Sequence, residues 1–145
     1  MAMDRQGTGL AILRVFTGVF FLFLGIEKLG WLLDSSTLAH RLSDWLNAAP
    51  PGSTSQWYLQ TIALPGVAVF SRLVPLGEIG CGAALIVGFW TPFVASIAFF
   101  LAVNYHVAGG TLFRYAFLTN GYGLPVLGAT LALAIGGVRL RWSVR

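Results

Sequence analysis

The sequence predicts an all-α membrane protein, a bundle of four transmembrane helices with an interfacial amphipathic helix between helices 1 and 2. Two observations predict it. Four apolar segments, at about residues 10–33, 64–89, 91–109 and 122–138, approach the ~20 residues that cross a ~30 Å hydrocarbon core at ~1.5 Å per residue. Only 10% of the 145 residues are charged, against about 25% in soluble domains, which need a charged skin over the surface that folding leaves wet. Mean hydropathy is +0.78, so lipid is the better solvent.

The first segment, LAILRVFTGVFFLFLGIEKLGWLL, is too long for the apolar core of a signal peptide. No A-x-A-like site follows it, so it reads as a span. Residues 34–63 leave the hydrocarbon but keep a pattern. Asp34-Ser35-Ser36 offers helix caps, Leu38, Leu42, Trp45 and Leu46 share a face, and Arg41 and Asp44 lie opposite. Pro50-Pro51-Gly52 stops that helix. With Trp57 and Tyr58 following, the stretch reads as a helix in the interface with aromatics at headgroup level; the plain alternative is an amphipathic helix packed on protein.

The second segment contains LVPLGEIGCGAALIVGF. The third opens on Thr91-Pro92, an N-cap followed by proline at the first helical position. The very short link around Trp90 makes these two an antiparallel hairpin. Asn120-Gly121 precedes the fourth segment, Pro125 lies in its opening turns, and Gly136-Gly137 is near its end. Gly80, Ala84 and Gly88 recur every four residues, as do Gly128, Ala132 and Gly136. Such small-xxx-small ridges let helices approach closely in lipid. All four helices are expected in one membrane domain, residues 1–145.

Arg5, Arg139, Arg141 and Arg145 gather on the side of the termini, against Lys28, Arg41 and Arg114 on the other. The positive-inside rule therefore favours cytoplasmic termini. The basic residues form no stripe that could track phosphates, which argues against nucleic acid as a partner. The single cysteine, Cys81, excludes an intrachain disulfide or a CxxC redox pair, so any redox chemistry needs a bound cofactor or a partner subunit.

An ionisable group within a span costs a few kcal/mol and is a functional hypothesis by default. Here these groups are Arg14, Glu27, Lys28, Arg72, Glu78, Asn104 and His106. At ~100° per residue, Arg14, Gly18, Phe21, Gly25 and Lys28 form one stripe, and Glu78 shares a face with Ser71, Pro75 and Gly82, while Glu27 points elsewhere. If the helices alternate in direction, Lys28, Arg72, Asn104 and His106 lie in the outer half of the membrane, about 6–12 Å from the midplane. Glu78 then lies near the middle and Arg14 in the inner half. This predicts a polar cavity open to the outer face with Glu78 at its floor. Glu78 and His106 are the candidate catalytic, proton-handling groups; Lys28, Arg72 and Asn104 are the candidate cofactor-binding groups. Arg14 and Glu78 are expected to form a structural ion pair. Asn104 and His106, two residues apart on a helix, cannot both point into one cavity. His106 has a plain alternative as a hydrogen-bonded structural histidine. Bis-histidine haem is disfavoured because His40 lies in the interfacial segment, and no metal site is expected.

Three stretches carry a likeness. LRVFTGVFFLFLGIEKLG holds Arg14, Gly18, Gly25 and Lys28; GEIGCGAALIVGFWTPFVA holds Glu78 and closes its glycine run at Gly88; Asn104 is followed by Asn120-Gly121. In this order and spacing the sequence resembles the DoxX/DoxD-like family of small bacterial membrane proteins. The resemblance implies a four-helix bundle in the bacterial cytoplasmic membrane. DoxD-like members are known as the small subunit of thiosulfate:quinone oxidoreductase, working beside a second subunit. Together with the polar residues, this leads to the expectation of a membrane subunit of a redox complex that binds a quinone. Quinone carbonyls take hydrogen-bond donors, and reduction needs a proton-delivering group. One alternative is a non-catalytic assembly subunit of a larger membrane complex. Another is a small-anion carrier using Arg14, Lys28 and Arg72, for which four helices leave little room for alternating access. The expected partners are the lipid bilayer and a partner subunit or a second copy of the chain.

Overall fold

A computed structural model describes residues 5–144, and among them every regular element is helical. In order these are α1 (Arg5–Glu27), α2 (Ser36–Ala48), α3 (Thr54–Tyr58), α4 (Val67–Val87), α5 (Thr91–Ala108), α6 (Tyr115–Thr119) and α7 (Leu124–Gly136). A 3₁₀ turn, Leu29–Leu32, follows α1, and a π turn, Leu59–Ala63, follows α3. Helices α1, α4 and α5 are long and apolar enough to cross a membrane. With its 13 residues, α7 reaches only about 20 Å, and it completes the four-helix bundle by packing on α5 and α1. Outward-facing Phe16, Phe23, Leu73, Phe93, Phe100 and Ile135 are all exposed. A continuous apolar exterior of this kind is what lipid covers.

The tightest helix pair is α1 with α4, and glycines make it so. A Cβ on Gly82 would lie 2.4 Å from the Leu22 amide nitrogen, one on Gly18 2.8 Å from the Gly82 carbonyl, and one on Gly25 2.8 Å from the Pro75 carbonyl. The small-residue ridges predicted from four-residue spacing make helix contacts only in part: a Cβ on Gly136 would lie 3.2 Å from Leu10 of α1. Gly80 and Gly128 have nothing within 4 Å of a built Cβ. The reason is angular: the α4 face carrying Glu78 and Gly82 turns to α1, and Gly80, two residues away, points about 200° from it.

Two apolar clusters stack along the bundle. Ala11, Phe21, Leu85, Ala95, Ala98 and Leu133 centre the first. Trp31, Leu38, Leu42, Leu59, Ala63 and Ala108 form the second, at one end. The amphipathic helix expected between helices 1 and 2 is therefore α2, and its apolar stripe turns onto the bundle. Trp45 on the same helix meets Tyr105 edge-on at 5.4 Å. Asp34 opens this segment by accepting both the amide and the hydroxyl of Ser36 at 2.8 Å, and these bonds hold its carboxyl below the usual range. Ser53 accepts from the Gln56 amide, and Gln56 Oε1 accepts from Gly52, a reciprocal cap that starts α3.

The first predicted span runs past the end of α1, because the chain tightens at Lys28 into the 3₁₀ turn. The cap expected at Thr91 is also corrected. Gly88 (φ 78°) and Trp90 (φ 41°) turn the chain so tightly that Trp90 becomes the N-cap. Thr91 is the first helical residue, and its buried hydroxyl has no partner among the described residues. Near the chain's end the Val144 amide donates to the Val87 carbonyl at 3.0 Å, which brings this segment to the end of the bundle where α1 begins. Arg145, counted above with the arginines of that side, lies outside the described residues.

Candidate functional site

The glycine seam decides which charges meet. With Gly18 against Gly82, and Gly25 against Pro75 and Ile79, α1 and α4 run antiparallel in a register that sets Lys28 opposite Glu78 and Arg14 opposite Gly88. Lys28 Nζ donates to both Glu78 carboxylate oxygens at 2.6 Å. The two residues are 6% and 5% exposed, and theirs is the only ion pair among the described residues. The predicted Arg14–Glu78 pair does not form. Arg14 lies opposite a point ten residues further along α4, about 15 Å away at 1.5 Å per residue. Its guanidinium donates instead to the Trp142 carbonyl at 2.9 Å and to Ser143 Oγ.

Against the ion pair lies a cavity of about 350 Å³. Its apolar walls are the rings of Phe20, Phe21, Trp31, Tyr105 and Tyr122 together with Leu24, Leu101, Ala102 and Val126; its polar groups include Glu27, Arg41 and His106. Lys28 Nζ stands 5.7 Å and the Arg41 guanidinium carbon 5.5 Å from the Trp31 ring centroid, so two cations share one indole. A second cavity of about 60 Å³ adjoins it. Lys28, Glu78, Trp31, Arg41, Leu101 and Tyr105 line both, so the ion pair stands in the partition.

The expectation that Asn104 and His106 cannot share a cavity holds: Asn104 lines only the smaller one and His106 only the larger. Asn104 Oδ1 accepts from the Tyr58 hydroxyl. Burial pushes that hydroxyl up from its ordinary pKa, so it stays a donor. His106 Nε2 lies 2.8 Å from the Tyr122 carbonyl and Nδ1 3.0 Å from Thr111 Oγ1. A carbonyl only accepts, so Nε2 carries the hydrogen of that bond. Both ring nitrogens are thus engaged in tying α5 to the segments around α6. These are the contacts of the plain alternative for His106, a hydrogen-bonded structural histidine. Arg72 is exposed, donates to the Ala68 carbonyl of its own helix at 2.9 Å, and lines neither cavity. Its offset of a third of a turn from Glu78 is enough to place it outside. Arg14, Lys28 and Arg72, named together for an anion path, stand at three separate places.

Sequence reasoning missed Trp31, Arg41, Tyr105 and Tyr122 as site residues. The available signal was Trp31 three positions after Lys28; Arg41 reads as a solvated face. What the arrangement offers is a slot with aromatic walls, one buried ion pair and one further cation.

The comparisons bear on the same residues. The DoxX family model matches residues 9–110, a stretch that holds α2 to α5, nearly all of α1, and Lys28, Glu78 and Asn104. No curated protein and no solved structure matches. The matched stretch is well over half of the chain, and a multi-pass helical bundle is the structure found for it: this protein belongs to the DoxX family.

Proposed function

We propose that this membrane protein is a subunit of a redox complex and holds a quinone ring in the aromatic cavity beside the Lys28–Glu78 pair. The observation that carries the reading is that pair, buried yet forming part of the wall of a cavity otherwise built largely from rings. Its volume, about 350 Å³, falls within the roughly 300–1,000 Å³ of small-molecule sites. A quinone supplies two-electron, two-proton chemistry at its carbonyl oxygens. The chain's own residues stack on the ring, donate to a carbonyl and hold a proton. Lys28 Nζ has three N–H groups and gives two to Glu78, which leaves one for a ligand. The electrons come from a partner subunit, since a single cysteine gives this chain no thiol pair. The proposed setting is a bacterial cytoplasmic membrane with both termini cytoplasmic, so that the cavity belongs to the outer half.

A short-tailed quinone titrated into the purified protein in nanodiscs, followed by tryptophan fluorescence, tests this. Saturable binding is expected, and Lys28→Met should weaken it tenfold or more, as losing a charge-assisted hydrogen bond of about 1.5–3 kcal/mol requires. Absence of saturable binding to the unsubstituted protein removes the reading. The same pair also pins α1 to α4, which is all a non-catalytic assembly subunit needs of it. The exchange of Lys28→Glu with Glu78→Lys separates the two roles: it keeps the pin but moves the donor, so folding should recover while quinone affinity stays low.

A further inference from the structure

At the end of the bundle opposite the ion pair, a different charge lacks a counterpart among the described residues. Arg14 is fully buried, and an arginine cannot shed its proton. A buried cation is costly unless an anion accompanies it. Among the described residues the carboxylates are Glu27, Asp34, Asp44 and Glu78, all belonging to the other half of the fold. Among the described residues Arg14 Nε has no hydrogen-bond partner, and the guanidinium is met by the Trp142 carbonyl and Ser143 Oγ.

In front of Gly88 and Ser143 lies an open cavity of about 790 Å³, also lined by Thr91 and Arg139. Ser143 Oγ already accepts from a cation, so its own hydrogen is directed to another acceptor. Thr91, 3% exposed, has a hydroxyl with no partner among the described residues. Two hydroxyl donors and a surface guanidinium thus border one space with a buried positive charge behind it. Trp90 and Trp142 flank the opening with most of their surface exposed, a position suited to headgroup level.

We propose that this end of the bundle binds a phosphate group, taken up by Thr91, Ser143 and Arg139, with Arg14 supplying the charge behind them. The phosphate belongs to a phospholipid headgroup or to free inorganic phosphate. The site does not depend on the quinone reading. Two arms distinguish the sources. Protein in phosphatidylcholine nanodiscs with and without phosphatidylglycerol is examined by native mass spectrometry for retained lipid. Delipidated protein in neutral detergent is melted in inorganic phosphate against chloride at equal ionic strength. One arm is expected to respond: retained phosphatidylglycerol assigns a headgroup, and a phosphate-dependent rise in Tm assigns the free ion. Arg14→Gln should abolish the response. Because that variant can fail to fold, the double variant Thr91→Val, Ser143→Ala is measured as well. With helicity unchanged, it should bind at least tenfold more weakly. No response in either arm, or unchanged affinity in the double variant, overturns the proposal. A response that appears only in Asp4→Asn assigns the site to a carboxylate of the chain itself and also overturns it.

Discussion

Replacing Glu78 alone by leucine is expected to destabilise the protein by about 3–5 kcal/mol, because it leaves the Lys28 ammonium buried without a partner. Lys28 is 6% exposed and donates to both carboxylate oxygens. The other charges that line its cavity, Glu27 and Arg41, are of opposite sign, and no hydrogen bond joins Lys28 to Glu27, so neither replaces the lost anion. Removing both charges is a different experiment. Lys28→Met with Glu78→Leu fills the same space with apolar groups, and an ion pair exchanged for such groups is often neutral or even stabilising. The double variant should therefore recover most of the loss and still fail to bind quinone. Equilibrium unfolding in mixed micelles measures both. A cost below about 1 kcal/mol for Glu78→Leu, the range of solvent-exposed pairs, would show that water reaches this pair.

The second large effect is expected at Gly82. A Cβ there meets the Leu22 backbone at 2.4 Å from nitrogen and 2.7 Å from Cα. Backbone cannot rotate away, so Gly82→Ala should push α1 from α4 and cost about 3 kcal/mol, the upper part of the usual range for overpacking. The same substitution at Gly80, which has open space around it, should leave stability unchanged or raise it slightly, since alanine is the better helix former. Equal effects at the two positions in the same unfolding assay would mean that the seam between α1 and α4 is not where the helices touch.

The two glycines also show how far the sequence can be read. Lipid imposes element lengths, so four apolar segments were enough to predict the bundle, and the amphipathic stripe around Leu38 and Leu42 was enough to place α2. That Lys28 and Glu78 turn into the bundle was legible too, because both are charges that hydrocarbon rejects. Which cation meets Glu78 was not read correctly. Choosing Arg14 weighed charge alone, whereas the register is set by close backbone approach at Gly18, Gly25 and Gly82. Those glycines lie on the same faces as Arg14, Lys28 and Glu78, so the information was present. Spacing alone pointed instead to Gly80 and Gly128, because α4 carries glycines on more than one face. The fate of His106 was beyond reach, since one of its two partners is a backbone carbonyl sixteen residues away. Arg41 belongs to a helix that reads as a solvated surface until α2 is seen folded over the cavity.

The central claim is that the aromatic cavity beside Lys28–Glu78 receives a quinone ring. A photoreactive quinone, cross-linked in nanodiscs and mapped by peptide mass spectrometry, tests it most directly. Labelling at Phe20, Tyr105 or Tyr122, suppressed by excess unlabelled quinone, is the predicted result. Labelling confined to the outward Phe16, Phe93 and Phe100, and insensitive to competition, would contradict it.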